Sequence, residues 1–204
     1  MGAKINEYPN EITSIGANDY FDTDAWNGAN YQTAKLSGAN LKTQVEAWAG
    51  AKNYGSFYDN STQSCASGTT KAMEVNNSDS FNNGVFVGID TNGKPTLFTV
   101  SDAGVYNVQF SAQLNRTSGG SSKTVSIWLR KNGADIPFTA THVTVQANAG
   151  KLVAAWNFFV EIGATDSIQI IWSQDDSIDI LYQAADLILP HPEIPSVIIT
   201  INQL

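Results

Sequence analysis

The stretch "GVYNVQFSAQLN", residues 104–115, alternates between apolar and polar side chains almost without a fault. One face carries Tyr106, Val108, Phe110, Ala112 and Leu114, and the other carries Asn107, Gln109, Ser111 and Gln113. This two-residue period predicts a β-strand with one face in a hydrophobic core. The second face is rich in amides and carries no charge, so it suits either ordered water or the surface of another protein chain.

The whole chain has the composition of an all-β protein with uncharged polar surfaces. It has 204 residues, of which 42% are hydrophobic and 15% are charged. The net charge of −8 and the lack of a basic run argue against nucleic acid as a partner. No stretch approaches the roughly 20 apolar residues of a membrane span, and the start lacks a signal-peptide pattern. We therefore expect a protein made in a cytoplasm and not inserted in a membrane.

Apolar and alternating segments follow one another from Tyr54 to the end of the chain and predict about ten strands, the number of a two-sheet sandwich. Two of them, "AAWNFFVEI" (154–162) and "SVIITI" (196–201), are apolar on both faces. One face of each sheet in a sandwich normally meets water. We therefore expect another copy of the chain to cover the outer face. A self-contained sandwich with an unusually apolar central strand is the alternative.

In the first 50 residues, aromatic residues occur among Asn, Asp, Gly and Thr without a sustained helical or strand period. This pattern predicts an extended arm with few regular elements. A single short helix is predicted over residues 40–49, with Asn40 as its N-cap and Leu41, Val45 and Trp48 on one stripe. Such a short helix is marginal alone. Its stripe should pack on copies of itself around a three-fold axis or on the β-domain of its own chain.

The order "LFTVSDAGVYNVQFSAQLN" (97–115), "VSIWLRKNG" (125–133), "AAWNFFVEIGATDSIQIIWS" (154–173) and "PSVIITI" (195–201) resembles a known globular domain. This is the C-terminal domain shared by complement C1q and its tumour-necrosis-factor relatives, particularly the versions at the tips of bacteriophage and bacterial surface fibres. The resemblance covers about residues 54–204. It implies a ten-stranded jelly-roll sandwich that forms a homotrimer, with one sheet of each protomer facing the three-fold axis.

The resemblance also implies a role without catalysis or cofactor. Residues 1–50 are similar to arms that attach such tips to a capsid or tail protein, so we expect a phage virion protein, a head or tail fibre or spike tip, that binds a host-surface glycan or protein. A bacterial surface or secreted C1q-like adhesion module is the alternative. The candidate trimer-interface residues are Leu41, Val45, Trp48, Asn107, Gln109, Trp156, Phe158 and Ile198.

Loops on a rigid sandwich are where recognition usually occurs. The candidate receptor residues in these loops are Arg116, Lys123, Asp135, Asp175 and Asp176. Asp175, Asp176 and Asp179 are also candidate ligands of a structural Ca²⁺, because hard cations take carboxylate oxygens. Solvated loop carboxylates are the alternative interpretation. The sequence has no nucleophile-elbow motif G-x-S-x-G, and we expect no enzyme.

Overall fold

The computed structural model describes residues 20–26, 31–49 and 52–204. Residues 1–19 of the predicted attachment arm lie outside the described residues. The chain divides into two compact units, Met1–Ala51 and Lys52–Leu204.

The first unit contains an antiparallel hairpin, which corrects the expectation of few regular elements in this part of the chain. Strand β1 (Tyr20–Trp26) pairs with β2 (Tyr31–Ser37), with Tyr20 opposite Ser37 and Trp26 opposite Tyr31. The sequence between the two strands contains Asn27-Gly28, a pair typical of hairpin turns. The irregular spacing of the aromatic residues in this segment gave no strand period. The Asn27-Gly28 pair was the sequence signal that could have predicted the hairpin.

Helix α1 (Gly38–Ala49) confirms the predicted helix and moves its start by two residues. The backbone N–H of Asn40 donates a hydrogen bond to Oγ of Ser37 over 3.1 Å. Ser37 is therefore the N-cap, and the assignment of this role to Asn40 was wrong. The serine ends β2 and caps α1 at once, so the two elements follow each other without a loop.

The second unit contains only strands as regular elements: β3 (Tyr54–Asp59), β4 (Gln63–Ser64), β5 (Thr70–Ala72), β6 (Asn77–Ser78), β7 (Val85–Ile89), β8 (Pro95–Val100), β9 (Gly104–Arg116), β10 (Lys123–Lys131), β11 (Ala134–Asp135), β12 (Thr141–Val145), β13 (Lys151–Ile162), β14 (Ile168–Gln174), β15 (Ile178–Ile180) and β16 (Val197–Gln203). The chain is all-β apart from α1 in its described part. Nine of these strands have five or more residues. Together with the three-residue β15, whose segment "SIDIL" (177–181) the alternating pattern also predicts, they match the expected number of about ten. The other four, β4, β5, β6 and β11, have only two or three residues and no detectable sequence pattern.

The strands form two antiparallel sheets of seven strands each. In the first sheet, β10 and β14 are central, β11 and β12 pair with the outer edge of β10, and β5, β8 and β7 continue on the other side. In the second sheet, β9 is central. Its one edge pairs with β13, and its other edge pairs with β15 and β16, beyond which lie β4, β3 and β6.

The two sheets enclose one hydrophobic core, the arrangement of a β-sandwich. The rings of Phe57 on β3 and Phe98 on β8 meet across the two sheets at 5.4 Å between centroids. The predicted core face of β9 is confirmed, since all five of its apolar side chains are buried. The facing sheet contributes Val125, Ile127, Leu129, Ile168, Ile170 and Trp172.

Candidate functional site

The side of the second sheet that faces away from the core is not covered by other residues of 52–204, and we call it the outward face. It consists of the outward side chains of β13, β9, β16 and β3. The register places Phe159, Asn107, Asn202 and Tyr54 in one row across the four strands. Phe159 is 66% exposed, and Val153 and Ile198 are also exposed. The face thus presents large apolar side chains to the surroundings.

The centre of the outward face is made of amides rather than charges. The side-chain amide of Asn157 donates to Oδ1 of Asn107 over 3.0 Å, and that of Asn107 donates to Oδ1 of Asn202 over 3.4 Å. These bonds link three strands. On the four strands, the outward charges are confined to the two ends of β13, Lys151 and Glu161. A face with few charges loses little hydration when another protein covers it.

Strand β13 is an edge strand of unusual length. It pairs with β9 over twelve residues, from Lys151 opposite Asn115 to Ile162 opposite Gly104, and no other strand of residues 52–204 pairs with it. Long apolar edges are templates for association and are normally blunted or covered. By physical criteria alone, the apolar side chains along this edge mark it as a contact region.

The predicted interface residues of the second unit fall into two groups. Asn107, Gln109 and Ile198 lie on the outward face. Trp156 and Phe158 lie instead on the core-facing side of β13, half-buried, and the Trp156 ring meets the Phe110 ring edge-on at 4.6 Å. The outward aromatic residue of this strand is Phe159, which sequence reasoning did not single out.

The candidate interface residues of α1 are described in part. Leu41 is half-buried within its unit and Val45 is exposed. The side chain of Trp48 lies outside the described residues, although its backbone belongs to α1.

Three loops meet at one end of the sandwich, and we call their residues 117–122, 146–150 and 175–177 the far loop end. The backbone N–H of Asn148 donates to O of Gly119 over 3.3 Å, and that of Thr117 donates to O of Ser177 over 3.0 Å. The chain enters the unit at the opposite end, where the Lys52 ammonium donates to the carbonyl of Leu204 over 2.7 Å. The loop with Asp135 lies towards that entry end, because it follows the end of β10 remote from Lys123.

Arg116 was predicted to contact a receptor, and the structure contradicts this role. Its side chain is buried beneath the far loop end, where its guanidinium donates to the carbonyl of Asp176 and lies 3.8 Å from the Asp176 carboxylate. Gly119 has a φ of +94°, and a Cβ there would lie 2.5 Å from Nη2 of Arg116. The arginine holds loops together from below, and a buried cation cannot reach a partner.

The remaining charged candidates are surface groups with partners inside the chain. Lys123 lies 3.6 Å from the Asp176 carboxylate. The hydroxyl of Ser177 lowers the pKa of Asp176, and Lys123 and Arg116 lower this pKa further. Oδ1 of Asp175 accepts the backbone N–H of Thr124 over 3.1 Å. Asp135 pairs with Arg130 over 2.7 Å, which lowers the pKa of the aspartate.

The three candidate cation ligands are not brought together as a ligand set. Asp175 and Asp176 have the partners given above, and Asp179 is half-buried on β15 opposite Asn115. Among the described residues, no group of three or more His, Cys, Asp or Glu side chains is close enough to hold a metal ion. The carboxylates of Asp175 and Asp176 interact instead with Arg116, Lys123 and the backbone N–H of Thr124.

A serine and a histidine meet on the outer side of the first sheet. Oγ of Ser126, which is half-buried, and Nδ1 of His142, which is exposed, are 2.8 Å apart on neighbouring strands. The two residues lie directly opposite each other on the antiparallel strands β10 and β12, so their contact is a cross-strand pair of the sheet.

Two exposed apolar features escaped the sequence analysis. Phe138 is fully exposed and has a φ of +64°, a backbone conformation that is costly for an aromatic residue. Leu187, Ile188 and Leu189 are exposed side by side. The second feature had a signal, three aliphatic residues in succession before the proline-rich stretch "PHPEIP" (190–195).

No protein-family model and no curated protein sequence matches this chain. Within the part of the chain that the structure describes, no helix has the length and apolar character needed to cross a membrane. The function is therefore inferred from the outward face, the edge strand β13 and the far loop end.

Proposed function

We propose that this chain is a non-enzymatic, homotrimeric structural protein of a bacteriophage virion, in which residues 52–204 form the head of a fibre or spike. The observation that carries the proposal is the outward face, which is apolar at Phe159, Val153 and Ile198 and uncharged at its centre. Covering a large apolar side chain completely stabilises an assembly by about 1.5–3 kcal/mol. Three such faces around one axis give a trimer a sizeable driving force.

The strand order supports a jelly roll of the C1q and tumour-necrosis-factor type. If β3, β8, β9, β10, β12, β13, β14 and β16 are numbered 1 to 8, the two sheets have the orders 1-8-3-6 and 2-7-4-5. Successive strands of this set thus alternate between the two sheets except for 4 and 5, and neighbours form the pairs 1-8, 2-7, 3-6 and 4-5, as in a double Greek key. The sheet with β9, β13 and β16 is the one that would face the three-fold axis.

The free edge of β13 favours association of copies over a solitary head. The free outer edge of a twelve-residue strand, next to Trp156 and Phe158, favours aggregation of a monomer unless it is covered. A neighbouring protomer would cover this edge.

The two ends of the head suggest a division of roles. Residues 1–50 attach to a capsid or tail protein, so the chain enters the head at the end that faces the particle. The far loop end then points outward, where its exposed small polar residues contact a glycan or protein of the host surface. Three copies of a weak contact add up through avidity.

Mass photometry of the full chain over a dilution series tests the assembly. We expect a species of three times the 21.9 kDa chain mass at micromolar concentration. Phe159→Asp places a charge on the outward face and should give monomers. Phe138→Asp is the matched control, because it makes the same change at an exposed site outside the outward face and tolerates a positive φ. A wild-type monomer throughout the series would refute the trimer.

A cryo-electron microscopy map of purified particles tests the location. We expect trimeric density for residues 52–204 that projects from a capsid or tail, with the far loop end outermost. A chain secreted by bacteria in the absence of phage genes would instead favour the adhesion module.

A further inference from the structure

An insertion leaves the second sheet between β15 and β16, and we call residues 182–195 the insert. Ile180 pairs with Leu114 and Val197 pairs with Ala112, so the two strands occupy neighbouring positions along the same edge of β9. The intervening chain is folded back on itself as a hairpin. Its backbone bridges join Gln183 to Ile194 and Asp186 to His191. The insert is therefore a hydrogen-bonded hairpin and not an irregular loop.

The tip of the insert displays three aliphatic side chains to the surroundings. Leu187, Ile188 and Leu189 are 94%, 96% and 73% exposed. Oδ1 of Asp186 accepts the backbone N–H of Ile188 over 2.7 Å and that of Leu189 over 3.3 Å, and these bonds lower the pKa of the aspartate. The carboxylate thus fixes the shape of the tip. Adjacent exposed apolar residues on a fixed support are typical of an interaction site.

The base of the insert lies on the outward face. Gln183 lines a small hollow of about 110 Å³ together with Gln113 and Val153. Gln113 on β9 and Val153 on β13 lie opposite each other, and both side chains belong to the outward face. Any copy of the chain that covers the outward face therefore meets the insert.

We infer that the insert is a clasp that packs its Leu187–Leu189 tip against the neighbouring copy of this chain. The inference rests on the proposed trimer and adds to it a second, separate contact. In a cyclic trimer each surface meets a different surface of the next protomer, so one tip contributes to each of the three interfaces. The insert that carries the tip rises from Gln183, which borders Val153 of the outward face, and this position selects a second copy as its partner.

A lipid surface is a poorer partner for this tip. The insert carries Asp186 and Glu193, and the sequence has no Lys or Arg from residue 152 to residue 204. Peripheral helices and loops that bind anionic membranes use basic residues beside their apolar ones.

The test compares the full-length wild type with the triple variant Leu187→Ser, Ile188→Ser, Leu189→Ser. The control variant is Ile89→Ser, Phe138→Ser, which removes exposed apolar side chains away from the outward face. Mass photometry measures the concentration at which half of the trimers have dissociated. We expect this concentration to rise by at least ~100-fold in the triple variant and to change less than ~3-fold in the control. Circular dichroism of each variant verifies that the strands are intact.

The outcomes separate the inference from the proposed function. A wild type that is trimeric and a folded triple variant that is equally trimeric would overturn the clasp and leave the trimer standing. A monomeric wild type would overturn both. Flotation with 3:1 phosphatidylcholine–phosphatidylglycerol vesicles adds a second readout. Binding by the wild type that the triple variant loses, without any change in its trimer, would assign the tip to a membrane and contradict the inference.

If the triple variant does not fold, Ile188→Cys replaces it. The new thiol is labelled with a maleimide that carries a benzophenone, which on illumination attaches to C–H bonds of whatever lies beside the tip. A clasp gives interchain dimers and trimers on a denaturing gel at nanomolar protein concentration. Cys65 is buried, and the wild type treated in the same way gives the background. Failure of Ile188→Cys to form any interchain product in a trimeric sample would overturn the clasp.

Discussion

Strands β9 and β13 are paired over twelve residues and yet have opposite environments. On β9, the five apolar side chains from Tyr106 to Leu114 are all buried. On β13, a more apolar sequence leaves Phe159 two-thirds exposed and Trp156 and Phe158 only half-buried. The edge position of β13 leaves Trp156 and Phe158 half-buried, because β9 has neighbours on both edges and β13 has one neighbour. Phe159 is exposed because it lies on the outward face.

An apolar side chain gains from burial wherever it lies. The order of the strands in the sheets decides whether the same chain can bury that side chain. The inner row of β9 is closed by the opposite sheet. The outward row of β13 stays open, next to the amides of Asn107 and Asn157. Three predictions test how far this contrast holds.

The largest effect is expected at Phe110 on β9. Phe110→Ala removes a buried ring that contacts Trp156, and should lower the free energy of unfolding by about 3–5 kcal/mol. Phe159→Ala makes the same change on the open face of β13. Under conditions where the protein is monomeric, it should cost less than about 1 kcal/mol in urea denaturation. Equal losses at the two sites would show that β13 is covered within the chain.

A smaller effect is expected at the end of β9, where Arg116 is buried. Arg116→Ala leaves the Asp176 carbonyl without its donor and opens a cavity, so it should lower the free energy of unfolding by about 2–3 kcal/mol. Lys123 also approaches the Asp176 carboxylate, but from the surface. Lys123→Ala should therefore cost less than about 1 kcal/mol. If Arg116→Ala were as mild, the far loop end would not depend on its buried cation.

The smallest effect concerns the turn that ends β13. The Lys131 ammonium, 2.6 Å away, is the main cause that lowers the pKa of Asp166 to about 2, and the Asn132 amide and Gly163 N–H add to it. A carboxyl whose pKa is lower in the folded state stabilises the fold above its ordinary pKa of 3.8. That contribution is lost as the pH falls from about 4 towards 2.

Asp166→Asn should therefore reduce the drop in urea midpoint between pH 4 and pH 2. Lys131→Met, which removes the main partner, should reproduce most of this reduction. An unchanged pH dependence in Asp166→Asn would mean that the turn does not use the charge of its aspartate.

The sequence could predict the elements that depend on local pattern. The alternation from Gly104 to Leu114 predicted β9 and its core face, and the apolar spacing predicted α1 apart from its cap at Ser37. The hairpin of β1 and β2 was missed, since the Asn27-Gly28 signal in the sequence was outweighed by the irregular residues around it. The short strands β4, β5, β6 and β11 have no sequence period that could reveal them.

The candidate site was harder to predict, because burial and partners arise from residues distant in sequence. Arg116 is separated by 60 positions from Asp176, the residue that accepts its hydrogen bond, so its charge alone suggested exposure. Trp156 and Phe159 are aromatic residues of the same strand that lie on opposite faces of the sheet. The pairing of β13 with β9 determines which of them faces outward.

By itself, the sequence determined the all-β class, the inner face of β9 and the surplus of apolar side chains in residues 154–162. Each follows from side-chain alternation and composition, which act over a few residues. The tertiary structure alone decided that β13 lies at an edge, that Arg116 is internal and that the 182–195 insert stands on the outward face. These depend on which strands become neighbours, a choice made by the packing of the whole sandwich.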